Sequence, residues 1–298
     1  MLEAPKRRGS YNIIDNFTYY VPGWADIIIL LALLLVGTVI GSLLALPFTM
    51  IMGEEGMEFG MLISYPVMFI PPMIYASVKS RSNSYLHNGV RLDSGHFSPV
   101  GGLVCAGLVI IGTLAMSFCA DFFAALLPPM PEWLEKALSS MTQGTVWVDF
   151  ICVSIFAPFF EEWLCRGMVL RGLLHHDVKP AWAIVFSAFF FALIHMNPWQ
   201  AIPAFLIGCL FGYVYYKTGS LKLTMLMHFA NNTFALIMSN IDGLKDVESW
   251  EDVLTGASYW AVFAACAAVL AIVVIKFRSI ALLDKAGNSD KVASLFSE

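Results

Sequence analysis

From about Ala25 to Met52 the chain runs apolar for longer than the ~20 residues that a helix needs to cross a bilayer core, and similar runs recur toward the C-terminus. Lipid offers the backbone no hydrogen-bond partners, so such runs fold as helices that satisfy their own peptide groups. Spans are predicted near 25–51, 59–78, 100–127, 147–173, 180–196, 200–217, 221–240 and 257–277. The expected fold is an all-α, polytopic membrane helix bundle with about eight transmembrane helices. Charged residues make up 13% of the chain, against about 25% in an ordinary soluble domain, which places it as an integral membrane protein. The first run far exceeds the ~7–15 apolar residues of a signal peptide and is expected to remain as a span.

Loop charge orients the bundle. Lys6, Arg7 and Arg8, then Lys79, Arg81 and Arg91, Arg171 and Lys179, Lys217 and Lys222, and finally Lys276, Arg278, Lys285 and Lys291 fall on one side. The intervening loops carry Glu54, Glu55 and Glu58, then Glu132 and Glu135, then Asp242, Asp246, Glu248, Glu251 and Asp252. Basic loops face the cytoplasm, so both termini are expected there. The chain then divides into a cytoplasmic segment 1–24, N-terminal transmembrane helices over 25–146, a core 147–240, and an outer loop, last span and tail over 241–298. The net charge of -5 is dispersed and forms no basic stripe, which excludes nucleic acid as a partner and leaves membrane lipid. Six cysteines without C-x-x-C spacing read as small buried hydrophobes. Leu86 to Phe97 reads as a turn-rich loop and Pro131 to Gln143 as a short amphipathic helix.

Within this apolar frame, Glu161, Glu162 and Arg166 share one predicted span, although each charge at a bilayer centre costs about 2.5–3.5 kcal/mol. Arg166 lies roughly 40° around the helix from Glu162 and roughly 140° from Glu161. Arg166 is therefore expected to pair with Glu162, leaving Glu161 free on another face as a candidate general base. Pro158 removes a backbone donor and is expected to free the Ser154 carbonyl and permit a bend. His228 and Asn232 are four apart on the seventh span and can both donate to an anionic oxygen, as an oxyanion hole requires. His195 ends the fifth span, with Phe191 one turn before it on the same face. Asp121 and Asp149 read as solvated residues at span ends, Tyr19, Tyr20, Trp24 and Trp199 as the interfacial belt, and Gly208-x-x-x-Gly212 as a helix-packing face.

These residues carry a family resemblance. Glu161-Glu162-x-x-x-Arg166, Phe191-x-x-x-His195 and His228-x-x-x-Asn232, in that order on separate apolar helices, resemble the CPBP family of intramembrane proteases. That family includes the Ras-converting CAAX prenyl endopeptidases and the bacterial Abi proteins of bacteriocin processing and immunity. The resemblance spans about Trp147 to Asn240. It implies that Glu161 and His195 activate the attacking water, that His228 and Asn232 stabilise the oxyanion, and that Glu162, Arg166 and Phe191 support them. The substrate implied is a peptide or lipid-anchored protein, cleaved without an acyl-enzyme. A divalent metal such as zinc on Glu161, His195 and His228 and a metal-free site both remain open. A non-catalytic immunity or scaffolding protein, or a proton- or cation-coupled transporter, are the competing readings. The compartment expected is a bacterial inner membrane.

Overall fold

The computed structural model of the protein describes residues 13–85, 89–139, 144–244, 247 and 249–282, the side chain of Glu54 excepted. Lys6, Arg7, Arg8, Asp246, Glu248, Lys285 and Lys291 of the loop-charge argument lie outside the described residues. So do Leu86 to Asn88 of the turn-rich loop and Ser140 to Gln143 of the predicted amphipathic helix.

All regular structure among the described residues is helical. A 3-10 turn, Ile13–Phe17, leads into α1 (Trp24–Met52) and α2 (Glu54–Asn83), followed by α3 (Gly102–Ala124) and the short α4 (Glu132–Ser139). The segments Val146–Asp149, Phe150–Phe156, Ala157–Glu162, Trp163–Leu170 and Arg171–His175 then follow without a break and together form α5. After it come α6 (Pro180–Leu193), α7 (Pro198–Thr218), α8 (Leu221–Ser239), α9 (Trp250–Val253) and α10 (Ala257–Arg278).

Five of these helices, α1, α2, α3, α7 and α10, are long and apolar enough to cross a membrane. The remaining predicted spans are helical but differ in kind. With 14 residues, α6 reaches only about 21 Å, short of a ~30 Å hydrocarbon core. α8 carries His228, Asn231 and Asn232, which lower its hydropathy, and α5 alternates between α and π register along its length.

α1 and α2 form a hairpin about Gly53, whose φ of 67° is easily adopted only without a side chain. Glycines let the two backbones touch. A Cβ at Gly37 would lie 2.1 Å from the Met68 carbonyl oxygen and one at Gly41 2.7 Å from that of Ser64, while Gly56 and Gly60 on α2 face Phe48 and Ala45. The predicted face at Gly208 and Gly212 also packs closely, against Ala188 and Ile184 of α6.

α5 is the centre of the molecule. Every residue from Trp163 to Leu170 is buried, so this stretch is enclosed on all sides. One apolar cluster surrounds it with Phe17, Leu30, Phe69, Phe191 and Tyr215; a second joins α3, α7, α8 and α10 through Val109, Phe211, Met227 and Phe277.

Two stretches of α5, Phe150–Phe156 and Trp163–Leu170, are π-helical, with the Ala157 N–H bonding the Cys152 carbonyl five residues back. This register corrects the expectation for Pro158. With i→i+5 spacing, the carbonyl left without its donor is that of Val153 rather than Ser154. The Asn232 amide fills the gap, donating to Val153 O at 2.8 Å. Two more α5 carbonyls are capped by side chains, Cys165 by Ser187 at 2.8 Å and Gly167 by Arg171 at 2.6 Å.

Three further expectations are corrected. Arg171 is buried rather than a solvated loop charge: besides Gly167 it donates to the Val90 and Tyr20 carbonyls and so ties three segments together. Tyr20 is itself buried in the first cluster and does not belong to an interfacial belt. Asp149 is fully buried, accepting from the Gly144 N–H at 3.0 Å, because the start of α5 packs against the rest of the fold. Asp121 accepts from Ser249 and Trp250 and anchors the start of α9.

Candidate active site

The two adjacent carboxylates of α5 have separate surroundings. Glu162 is fully buried, and its Oε1 accepts from Arg166 Nη1 at 2.6 Å, as the four-residue spacing predicts. The same oxygen meets His228 Nδ1 at 3.1 Å. Arg166 spends a second donor on the Gly208 carbonyl at 3.0 Å, which the missing side chain at Gly208 allows it to approach. The guanidinium lies 4.6 Å from the Phe191 ring centroid and 5.3 Å from that of Phe211. Glu162, Arg166 and His228 therefore form a knot wedged between an aromatic side chain of each apolar cluster.

Glu161 points elsewhere. Its Oε1 accepts from the phenol of Tyr65, brought in by α2, while its Oε2 is buried without a hydrogen-bond partner. An unsatisfied buried carboxylate oxygen is costly unless something else fills the place. Glu161 also lines a cavity of about 370 Å³. Leu31, Leu34 and Leu35 of α1 and Met68 and Phe69 of α2 also line it, as does His195.

His195 sits on the corner between α6 and α7. Its Nδ1 lies 2.8 Å from the Phe191 carbonyl oxygen. A carbonyl only accepts, so Nδ1 carries the hydrogen and Nε2 of the neutral ring is an acceptor. Asn197 locks the corner by capping α7 through the Gln200 N–H at 2.9 Å and donating to the His195 carbonyl at 2.9 Å. Between them, Met196 is held at φ 57°, a left-handed conformation unusual for a methionine.

The two histidines both pack edge-on against Phe191, at centroid distances of 5.0 Å for His195 and 5.4 Å for His228. Asn232 lies farther along α8, donating to Val153 O and accepting from Asn231 at 3.0 Å; Asn231 in turn accepts from Ser117 of α3. The structure thus joins Glu161 and His195 at one cavity, and holds His228 and Asn232 through contacts with α5.

Among the described residues, no three His, Cys, Asp or Glu side chains form a group able to hold a metal ion. Glu161, His195 and His228 accordingly do not converge as a three-ligand set.

Sequence reading missed Tyr65, Asn231 and Asn197. A phenol in the middle of an apolar span, rather than at its edge, is the signal that marks Tyr65. Asn231 was visible as a second amide beside Asn232. Asn197 was visible as an N-cap before Pro198.

Residues 143–234 match the family model described as Type II CAAX prenyl endopeptidase Rce1-like. The match agrees with the resemblance carried by the three motifs and covers Glu161 through Asn232, leaving Tyr65 outside. Comparison with curated proteins and with solved structures gives no match.

Proposed function

We propose, from the prenyl endopeptidase match over 143–234, that the chain is an intramembrane endopeptidase in which Glu161 and His195 activate water. The observation that carries the reading is the partnerless Oε2 of Glu161, buried beside a cavity that His195 also lines. A water there donates one hydrogen to Glu161 Oε2 and the other to His195 Nε2, which turns its lone pairs toward a peptide carbonyl. As the oxygen attacks, its proton passes to Glu161 and the carbonyl oxygen becomes an oxyanion. Glu161 then returns the proton to the leaving amine as the C–N bond breaks.

His228 and Asn232 are the oxyanion donors in this reading. With Nδ1 held by Glu162, His228 has its Nε2 edge left for an oxyanion, and donation from that edge requires both ring nitrogens to carry hydrogen. Asn232 uses one amide hydrogen on Val153 and retains the other for substrate. The leucine-rich wall of the cavity suits a lipid-anchored peptide. The basic-loop bias suits a bacterial inner membrane with both termini cytoplasmic.

The test is cleavage of a quenched, prenylated peptide by the purified protein in bilayer discs. Glu161→Ala and His228→Ala are expected to abolish cleavage, with circular dichroism verifying the fold. Retained cleavage in both folded variants overturns the assignment. A wild type inert toward lipid-anchored and plain peptides alike favours the scaffolding alternative instead. A chelator titration in the same assay reads metal dependence directly.

A further inference from the structure

The α1–α2 hairpin lies outside the matched segment, yet it delivers a polar group to the centre of the site. Tyr65 donates its hydroxyl hydrogen to Glu161 Oε1. We propose that Tyr65 is a positioning residue for the hydrolysis, fixing the Glu161 carboxylate so that Oε2 alone is presented to water. The inference rests on the role given to Glu161 above.

Three observations carry it. First, the hydrogen bond divides the carboxylate into one occupied and one empty oxygen, and the empty one is buried. A carboxylate free to rotate exchanges its two oxygens; a phenol bound to one prevents that exchange. Second, the phenol is held in register by one aromatic ring, Phe69, that packs on both Tyr65 and α5. Tyr65 packs on Phe69 at 5.9 Å, and Phe69 stacks on Phe160, the residue before Glu161, at 5.0 Å and 13°. The hairpin therefore meets α5 at adjacent positions, one apolar and one polar. Third, Phe69 also lines the cavity with Glu161, so the element that anchors the base also forms the substrate wall.

A hydrogen bond to a charged acceptor is roughly twice as strong as one between neutral groups, so the phenol holds its oxygen most firmly when that oxygen bears charge. Tyr65 touches no reacting atom in this scheme and acts through Glu161. Its loss should therefore appear in turnover and pH dependence, not in substrate binding.

The experiment compares wild type, Tyr65→Phe and Glu161→Gln as full-length protein in bilayer discs, with kcat and KM measured from pH 5 to 9. Tyr65→Phe keeps the ring against Phe69. Its expected signature is a fall in kcat of about tenfold or more, KM within about twofold, and an acid limb of the kcat profile moved to higher pH. A 3-fluorotyrosine at position 65, a stronger donor that leaves the packing intact, is expected to move that limb to lower pH. It serves as the deciding measurement if Tyr65→Phe folds poorly. Wild-type kcat and an unmoved profile in folded Tyr65→Phe, or an unmoved limb with 3-fluorotyrosine, overturns the positioning role. If Glu161→Gln cleaves normally, the underlying assignment fails. If Glu161→Gln is inert while the position-65 variants behave as wild type, only the present inference fails.

Discussion

His228 pairs with Glu162 and not with its neighbour Glu161: Nδ1 of the imidazole lies 3.1 Å from Oε1 of Glu162. Two carboxylates that are adjacent in sequence are thus assigned opposite work. Each keeps its Oε2 without a partner, but Glu162 is paired through Oε1 with Arg166 and His228, whereas Glu161 alone of the two lines the cavity. Removing the charge from each should therefore have different results. Glu161→Gln retains an acceptor for Tyr65 and is expected to unfold within a few degrees of wild type while losing about 10²-fold or more in cleavage. Glu162→Gln leaves Arg166 as an uncompensated buried charge and is expected to lose stability and activity together. Thermal unfolding in detergent alongside the peptide assay separates the two.

The Glu162–Arg166 pair is fully buried, and taking away one member of such a pair typically costs about 3–5 kcal/mol. Arg166→Met leaves Glu162 charged, with only His228 beside it. Combining Arg166→Met with Glu162→Gln removes both charges and is expected to recover part of the loss, because the penalty lies in the orphaned ion rather than in the missing contact. A double-mutant cycle on unfolding temperature measures this coupling. Strictly additive losses would show that the pair contributes nothing as a pair.

The polar residues were legible for a simple reason: in an apolar span a carboxylate, guanidinium or imidazole stands out, and helical periodicity alone assigns Arg166 to Glu162. The partner of His228 was not legible, since contact between α8 and α5 depends on long-range packing. Tyr65 was hidden because tyrosine is common in membrane proteins and only its depth is unusual. The π register of α5 has no simple sequence mark, so the freed carbonyl was assigned to Ser154 and not Val153. Arg171 and Asp149 looked like loop charges because charge count does not distinguish a solvated end from one folded inward. α5 and α8, which contribute the site, are not among the five helices long and apolar enough to cross a membrane.

The corner holding His195 depends on Asn197. Its side chain both caps α7 and grips the His195 carbonyl. Asn197→Ala is expected to cost about 0.5–2 kcal/mol through the lost cap. It should also lower kcat more than it raises KM, since His195 would no longer be held against the cavity. Asn197→Asp keeps the cap acceptor but loses the donor to His195 O. It is expected to restore stability better than turnover. Equal recovery of both would show that the corner matters only as a helix start.

The last prediction concerns the hairpin far from any motif. At Gly37 a Cβ would fall 2.1 Å from the Met68 carbonyl oxygen, so any side chain there forces α1 away from α2. Met68 and Phe69 line the cavity, as do Leu31, Leu34 and Leu35 on the facing helix, and Tyr65 lies one turn before Phe69. Separating the helices therefore widens the cavity and pulls on the contact to Glu161 at once. Gly37→Leu is expected to lower both unfolding temperature and cleavage, although it alters nothing between residues 143 and 234. Gly107→Ala on α3 is the matched control: a Cβ there meets nothing within 4 Å, and alanine favours helix over glycine by about 1 kcal/mol. That variant should be as stable as wild type or more so, with unchanged cleavage. Wild-type activity in Gly37→Leu would mean that the hairpin is packed beside the site without shaping it, because the clash itself cannot be avoided while the two backbones keep this separation.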